Sequence, residues 1–332
     1  MRLAIVGAGL VSPWGRRCRE HAFFLRAGVV GPPRSPFMLG DDEPLKVRYC
    51  PWLGARLPLA ERLADLARVA LAEALVPEAP APDLVIACAS RARDADATVA
   101  LEAAFRGSGR GPRIERAYGE AGVFAALERA DRVLAEQPRR VVAILAVDSF
   151  VSLDALGAWL DRRPSPWADA EPPPSEGAAA LVVTSPAHAR EARLEVLGTV
   201  EHAALFTDAA TDDNDEPVEA RAMTAALQRL PARRPIRFVF GPVVGGTLRR
   251  SEWHRATARS AARFGQACDM RSLEAEVGAL GAAAGAANLV WGLATLLHDT
   301  GALAVEPGEA FLSWAISPDG TRGLAVVAVE GR

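Results

Sequence analysis

The sequence has almost no lysine and few cysteines. Lys46 is the only lysine among 38 basic residues of a 332-residue chain. The four cysteines stand far apart with no CxxC pair between them: Cys18, Cys50, Cys88 and Cys268. Scattered cysteines indicate neither a zinc site nor a disulfide framework. The formal net charge of −3 gives no basic footprint for nucleic acid or for a membrane surface.

The N-terminus also lacks a charged region ahead of a longer apolar run. No signal peptide is therefore expected, and a cytoplasmic location follows by default. Hydrophobic residues make up 50% of the chain and charged residues 24%, which is typical of a globular protein. No cofactor and no metal ion is expected from the motifs of the chain.

One uncharged stretch, Val277–Leu297, organises the rest of the chain. Its 21 residues are long enough to suggest a membrane span. Its many alanines and glycines make it only weakly hydrophobic, Asn288 lies inside it, and acidic residues flank it. A helix that is apolar on every side is also typical of one buried within a large core. We therefore expect a helix packed between two sheets.

Strands and helices alternate, and their order repeats. The first half has apolar strands at 2–9, 84–90, 140–147 and 178–184, with helices at 17–25, 59–75 and 119–134. The second half has strands at 193–200, 236–240, 311–316 and 323–329, with helices at 218–230 and 277–297. Alternation predicts mostly parallel sheets covered by helices. We predict a five-layer α/β/α/β/α fold made of two duplicated halves, 1–190 and 191–332.

Gly7, Gly9 and Ser12 come close to the dinucleotide-binding pattern G-x-G-x-x-G. Ser12 replaces the third glycine, and Pro13 falls where the phosphate-binding helix should already have begun. The pattern therefore gives weak support to a nicotinamide site, and we do not expect one.

Four segments resemble the β-ketoacyl synthases of the thiolase fold. The opening Gly7-Ala8-Gly9-Leu10-Val11-Ser12-Pro13-Trp14-Gly15 is similar to the start of these enzymes. The run from Glu176 to Val183 with His188-Ala189-Arg190, Gly278 with Ala283-Ala284-Gly285, and Gly320-Thr321 follow in the family's order. The resemblance covers nearly the whole chain and implies the same five-layer thiolase-like fold.

The resemblance also implies which positions would carry the condensation chemistry. The family uses a cysteine at a helix N-terminus, where the thiol pKa is lowered, together with two histidines. The matching positions here are Gly119, Phe240 and Ala279, so none of the three residues is kept. Glu274 stands in the place of the family's lysine, and Ser317-Pro318 replaces its aromatic gate. We predict that the chain has no catalytic residues of this family.

Three residues are weak candidates for another chemistry. Glu120 is next to the lost nucleophile, and Cys268 comes shortly before the central helix. His202 could act as a metal ligand or a general base with nearby acids. A solvated acidic loop is the simpler explanation of those acids, which are Asp208, Asp212, Asp213 and Asp215. Tyr118 and the pair Arg249-Arg250 could line a pocket.

Together these features predict a ketosynthase-like protein that has lost condensing activity. By resemblance we expect a homodimer, or a heterodimer with an active ketosynthase as chain-length factors form, acting as a scaffold or binding protein. The same resemblance implies an acyl-carrier protein or a bacterial secretion-system protein as a further partner. The alternative is an enzyme that uses Glu120, Cys268 or His202. It would be an acyltransferase or a relative of the 3-oxoacyl-(acyl-carrier-protein) synthases. No nucleic acid partner and no membrane span are expected.

Overall fold

A computed structural model describes residues 2–27, 37–39, 43–54, 56–75, 77–105, 112–162, 172–208, 218–230, 235–242, 247–298 and 309–330. The elements of the first half follow in this order: β1 (Leu3–Val11), α1 (Cys18–Ala27), β2 (Met38–Leu39), β3 (Glu43–Pro44), α2 (Leu59–Ala74), β4 (Leu84–Ala89), α3 (Asp94–Ala104), β5 (Arg113–Tyr118), α4 (Gly122–Glu136), β6 (Val141–Ser149), α5 (Leu153–Arg162), β7 (Glu176–Thr184) and α6 (Pro186–Glu191). The second half continues with β8 (Gly198–Thr207), α7 (Arg221–Gln228), β9 (Ile236–Phe240), α8 (Thr247–Arg259), β10 (Phe264–Arg271), α9 (Leu273–Val277), α10 (Ala284–His298), β11 (Ala310–Ile316) and β12 (Thr321–Val329).

Ten of the described strands form one mixed sheet, in the order β10-β9-β11-β12-β8-β1-β7-β6-β4-β5. The order has the same pattern from both ends, because β8, β12, β11, β9 and β10 repeat the arrangement of β1, β7, β6, β4 and β5. The two halves meet where Leu3–Ile5 of β1 pairs antiparallel with Gly198–Val200 of β8. The predicted fold class is confirmed, and this short ladder joins the two expected sheets. The prediction of mostly parallel sheets is wrong, because five of the nine pairings between the described strands of this sheet are antiparallel and four are parallel.

The apolar side chains divide into one central and two outer layers of core. Alternate residues of β1 show the division, since Leu3 and Ile5 face the central layer while Ala4 and Val6 face an outer one. The central layer holds α4 and α10 between the inner faces of both halves of the sheet. Helix α2 covers the first half from outside, and α7 and α8 cover the second. The result is the predicted succession of five layers.

The central stretch is shorter as a helix than the sequence indicated. The chain bends at Gly278, which has a φ of +90°, and forms a short 3-10 turn at Gly281–Ala283. Helix α10 begins only at Ala284 and has 15 residues, which span roughly 22 Å. Within the described part of the chain, no helix is long and apolar enough to cross a membrane.

Other boundaries and elements also differ from the predictions. The strand expected at 193–200 begins at Gly198, after a turn in which Arg193 has a positive φ. Periodicity did not reveal five of the longer elements: α3, β5, α5, α8 and β10. Most of the proline-rich segment 164–174 lies outside the described residues. The division of the chain at residue 190 stays a prediction.

Gly7 and Gly9 serve close packing between a strand and a helix. Both lie inside β1, where a Cβ would come within 1.9 Å of the Ala74 carbonyl oxygen and 2.0 Å of the Ala70 carbonyl oxygen of α2. Ser12 then forms a tight turn, in which its N–H donates to the Gly15 carbonyl at 3.0 Å. These glycines therefore let α2 approach the sheet, and the geometry does not form a phosphate-binding loop.

Two buried ion pairs fasten the last strand of each half to an outer helix. Glu176, the first residue of β7, accepts hydrogen bonds from Arg62 of α2 at 2.8 and 3.0 Å. Arg322 of β12 donates to Glu252 of α8 at 2.9 to 3.2 Å. The pairs are almost completely excluded from solvent. Removal of one partner from such a pair costs about 3–5 kcal/mol, because the other charge stays buried.

A buried histidine supports the turn that follows β1. His21 of α1 donates from Nδ1 to the Arg17 carbonyl at 2.8 Å, and its Nε2 lies 2.7 Å from Ser12 Oγ. In the neutral ring that carries its proton on Nδ1, Nε2 accepts a hydrogen bond from the Ser12 hydroxyl. Burial lowers the pKa of His21 from 6.5 to about 4. The imidazole is therefore neutral in the folded protein at neutral pH.

We expect His21 to make folding sensitive to mild acid. The unfolded chain binds a proton near pH 6.5 and the folded one only near pH 4, so stability is present above pH 6.5 and is lost as the pH falls toward 4. From pH 7.5 to 5 the free energy of unfolding should fall by about 2 kcal/mol from this group. Urea unfolding of His21→Gln should show a shallower dependence than the wild type or the exposed control His254→Gln. Equal slopes in all three proteins would contradict this assignment.

Candidate functional site

The position that the resemblance gives to the nucleophile lies between β5 and α4. Gly119 has a φ of +75°, a region that side chains disfavour, and its N–H donates to the Ala89 carbonyl at 3.1 Å. Its carbonyl accepts the N–H of Gly122, the first residue of α4, at 3.0 Å. The chain therefore makes a sharp turn from strand to helix, and the backbone N–H of Gly119 is already in use.

Ser317 fills the space beside Gly119. Its Oγ accepts the Ala121 N–H at 2.9 Å, although the two residues are 196 positions apart. A Cβ on Gly119 would lie 2.6 Å from this Oγ and 3.0 Å from the Ser317 Cβ. The hydroxyl group thus stands where a nucleophile at residue 119 would project, and it takes a helix N-terminal donor that an oxyanion would need.

The turn that carries Ser317 is itself held in place. The Ser317 N–H donates to the Thr321 carbonyl at 2.8 Å, and the Gly320 N–H donates to the Ser317 carbonyl at 3.1 Å. Arg322, directly after this turn, forms the buried pair with Glu252 and also donates to the Gly320 carbonyl. The ion pair of the second half therefore fixes the position of the serine.

Glu120 is bound by a guanidinium group. Arg249 of α8 approaches both of its carboxylate oxygens, at 3.3 and 3.4 Å, and the two side chains are 12% and 18% exposed. The structure thus gives this residue a structural partner. Arg250 follows on the same helix and is exposed.

The two positions expected for histidines hold apolar groups. The Phe240 ring packs edge-on against Trp291 at 5.3 Å and against Phe311 at 5.4 Å. Ala279 uses its backbone, which donates to the Pro173 carbonyl at 2.7 Å and accepts from the Ser175 N–H at 3.1 Å. These two positions therefore hold an aromatic ring within an apolar cluster and a methyl group.

Glu274, in the place of the family's lysine, closes a loop. Its Oε1 accepts the Leu280 N–H at 3.2 Å, and the residue is 2% exposed. Tyr118 stacks below the guanidinium of Arg91, at 4.3 Å from its ring centre. Glu274 thus has a partner shortly before α10, and Tyr118 has one at the end of β5.

The nearest described cysteine lies beneath α4, not at the surface. Cys88 of β4 is completely buried, and a Cβ on Gly122 would lie 3.4 Å from its Cβ. Burial raises the pKa of Cys88 to about 12. Cys268 lies in β10 at the far edge of the sheet, where burial and the charge of Asp269 raise its pKa to about 11. Neither thiol is activated, since nucleophilic cysteines have lowered pKa values.

His202 is in the middle of β8, opposite Val326. Burial lowers its pKa, and its Nε2 has no hydrogen-bond partner within the described part of the chain. Asp208 is six residues further along, roughly 20 Å in an extended strand. The structure does not bring these two residues together, and Asp212, Asp213 and Asp215 lie outside the described residues. Among the described residues no group of His, Cys, Asp and Glu could hold a metal ion.

The resemblance proposed the positions of this site, but the sequence did not predict the contact between Ser317 and Ala121. Ser317 was noticed only as part of an altered turn. No sequence signal predicts that its hydroxyl reaches Ala121, because the contact depends on how the two halves of the fold meet. Arg249 was noticed as a surface arginine, whereas the structure places its side chain against Glu120.

Comparisons with known proteins agree with this fold. No protein-family model and no curated protein matches the chain. Among solved structures, the ishigamide ketosynthase/chain length factor matches with a TM-score of 0.74 and 21% identity, over 100% of both chains. A ketosynthase in complex with its type II PKS acyl-carrier protein matches with a TM-score of 0.74 and 15% identity, over 99% of both chains.

A third similar structure is the ketosynthase from module 6 of the bacillaene synthase of Bacillus subtilis 168. It matches with a TM-score of 0.76 and 14% identity, over 100% of this chain and 73% of that one. Identities at this level show a shared fold only. The chain therefore has the thiolase-like fold of the ketosynthases.

Proposed function

We propose that this chain is a ketosynthase-fold protein without condensing activity that acts as a dimer partner in an acyl-carrier pathway. The observation that carries the proposal is the packing of Ser317 against Gly119. A condensing enzyme needs a thiolate at this point, together with free N–H groups that stabilise an oxyanion. Here a Cβ at residue 119 would come within 2.6 Å of Ser317 Oγ, and the N–H of Ala121, two residues further on, is bonded to that serine.

The other positions support the same proposal. Phe240 and Ala279 offer no group that could donate or accept a proton for the reaction. Each change alone would be compatible with a modified mechanism. Their coincidence favours loss of the reaction, because thiol, imidazoles and oxyanion donors act as a unit and the loss of one removes the selective value of the rest.

The acyltransferase alternative has less support. Its three candidate residues are Glu120, Cys268 and His202. Glu120 is bound to Arg249, and burial raises the pKa of Cys268 to about 11. His202 lies within a strand, and burial lowers its pKa. Among the described residues, neither Cys268 nor His202 is hydrogen-bonded to a group that would activate it, which nucleophilic catalysis requires.

Strand β5 is the element we assign to dimer formation. It is at one end of the described sheet and pairs only with β4, so its other edge has unpaired backbone groups. If two copies pair antiparallel about the centre of the strand, Glu115 of each lies opposite Arg116 of the other. Within its own chain Glu115 already binds Arg129 at 2.7 and 2.9 Å. The pairing would add Arg116 of the other copy, and this charge complementarity favours the homodimer over a heterodimer with an active ketosynthase.

The activity test uses the purified protein with acyl-CoA and with acylated carrier protein. Intact-mass spectrometry should detect no acyl adduct on the chain, and no condensation product should form on addition of a malonylated carrier. An active ketosynthase under the same conditions is the positive control. An adduct at Glu120, Cys268, His202 or any other residue would overturn the proposal in favour of acyl transfer.

The dimer test uses charge reversal on β5. Light scattering should give the wild type twice the 35.1 kDa chain mass, about 70 kDa. Glu115→Arg and Arg116→Glu should each be monomeric, since like charges then face each other, and an equal mixture of the two should dimerise because opposite charges are restored. Arg190→Glu, on the exposed side of α6, is the control and should stay dimeric. Two dimeric single variants, or a monomeric wild type, would contradict this pairing.

A further inference from the structure

Strand β8 leaves the edge of β1 part of the way along that strand. The two strands pair only from Leu3 to Ile5, and the Leu197 N–H then donates to the Ile5 carbonyl at 2.8 Å. Beyond this point no described strand covers that edge of β1, whereas its other edge stays paired with β7 as far as Val11. A cavity of about 340 Å³ lies where β8 has turned away, and Ala8 of β1 is in its wall. We call it the seam cavity.

The walls of the seam cavity come from both halves of the chain and are largely apolar. Strand β1, the segment before β8 and the last turns of α10 all contribute to it. The apolar lining residues are Ala8, Val196, Leu197, Leu293, Ala294 and Leu297. Its volume is within the range of about 300–1,000 Å³ that is typical of sites for small organic molecules.

Glu73 of α2 places a carboxylate in this cavity. Its Oε2 accepts the Leu10 N–H at 2.9 Å, and its Oε1 accepts the Cys18 N–H at 2.7 Å. Burial raises the pKa of Glu73 by more than its hydrogen bonds lower it, and the negative charge of Glu20 raises it further. No cation is among the described groups that act on this pKa. The carboxylate is therefore half-buried without a compensating positive charge, although it can accept further hydrogen bonds.

The other charges around the seam cavity also favour a positively charged ligand. Glu195 and Glu330 line it and are exposed, as is Arg19. The lining thus has three carboxylates, one guanidinium and the imidazole of His298. His298 is the last residue of α10, and the C-terminus of a helix carries a partial negative charge that attracts cations.

A second opening gives room for a longer apolar group. It also has a volume of about 340 Å³, and it shares Arg19 and His298 with the seam cavity. Its apolar lining comes from Ala22, Phe23 and Phe24 of α1, and Phe23 is 63% exposed. An apolar chain that enters the seam cavity can therefore continue over these two rings.

We propose that the seam cavity binds an amphiphilic organic cation, namely a primary ammonium group on an unbranched apolar chain. The ammonium group lies beside Glu73 and supplies the positive charge that this carboxylate lacks. The chain lies against Leu293, Ala294 and Leu297, where its burial is favourable. The site is at the opposite end of α10 from Gly285, a separation of roughly 20 Å along the helix. It is therefore distinct from the surroundings of Gly119.

The experiment titrates the purified full chain with n-hexylammonium at neutral pH by isothermal titration calorimetry. Hexan-1-ol and hexanoate are the comparison ligands of equal length. Hexylammonium should bind about tenfold more tightly than hexanol, because its charged hydrogen bond to Glu73 adds to the same apolar burial. Hexanoate should not bind measurably, since its carboxylate would face three others. Butylammonium should bind more weakly than hexylammonium, by up to about fourfold for each methylene removed.

Two variants test where the ligand binds. Glu73→Gln keeps the shape of the side chain and removes its charge, so it should weaken hexylammonium binding about tenfold and change hexanol binding less than about twofold. Ala294→Leu fills the cavity from α10 and should abolish binding of both ligands. The matched controls, Glu136→Gln and Ala225→Leu, are at exposed positions of other helices and should change neither affinity by more than about twofold. Thermal unfolding checks that each variant retains the fold.

Each contrary outcome removes a stated part of the proposal. Equal affinity for hexylammonium, hexanol and hexanoate would overturn the cationic class of ligand, since the cavity would then select apolar surface alone. Absence of binding by every ligand, or binding that Ala294→Leu leaves unchanged, would overturn the site itself. If one of the two variants does not fold, the other variant and the comparison of ligands decide. None of these measurements depends on the β5 dimer or on condensing activity.

Discussion

The fold depends on how closely two helices approach at its centre. Gly285, near the start of α10, lies so close to α4 that a Cβ would come within 2.2 Å of the Glu120 carbonyl oxygen. A Cβ on Gly292 would likewise come within 2.7 Å of the Phe240 ring. Only residues without a side chain permit these distances, so they set the separation of the two halves. That separation in turn brings the turn after β11 down onto the start of α4, where Ser317 meets Gly119.

Two kinds of interaction act on this arrangement. Burial of the apolar layers supplies most of the stabilisation. Its free energy depends on the apolar area removed from water and not on the orientation of the groups. The buried pairs Arg62–Glu176 and Arg322–Glu252 add direction, because each charge is tolerated only beside its partner. Each pair lies at the start of a strand, β7 in the first half and β12 in the second. The strand supplies the acid in the first pair and the arginine in the second. The two halves thus share a buried ion pair at the start of a strand with the charges exchanged, and the second pair holds the turn that carries Ser317.

The sequence predicted the parts of the fold that have a strong hydrophobic period. Helix α2 and strand β9 were placed within a residue of their observed bounds, because their apolar residues repeat with the helical or strand spacing. Helix α8 was missed, since arginines outnumber the buried Trp253 and Ala256 in its pattern. The strand expected at Arg193 came too early, because a turn with positive φ interrupts the apolar run. At the site, the resemblance proposed which positions are altered, but contacts such as Ala121 with Ser317 depend on tertiary packing that no local pattern encodes.

The central claim is that Ser317 and Gly119 share one space, and a double-mutant cycle in urea unfolding tests it most directly. Gly119→Ala alone should lower the free energy of unfolding by about 2–4 kcal/mol, through the positive φ and the clash. Ser317→Gly alone should cost about 1–2 kcal/mol through the lost bond to Ala121. The double variant should be more stable than the sum of the two losses by at least about 1 kcal/mol, because removal of the hydroxymethyl group makes room for the new methyl. Additive losses, within about 0.5 kcal/mol, would mean that the two residues do not compete for this space, and the account of a closed site would then be wrong.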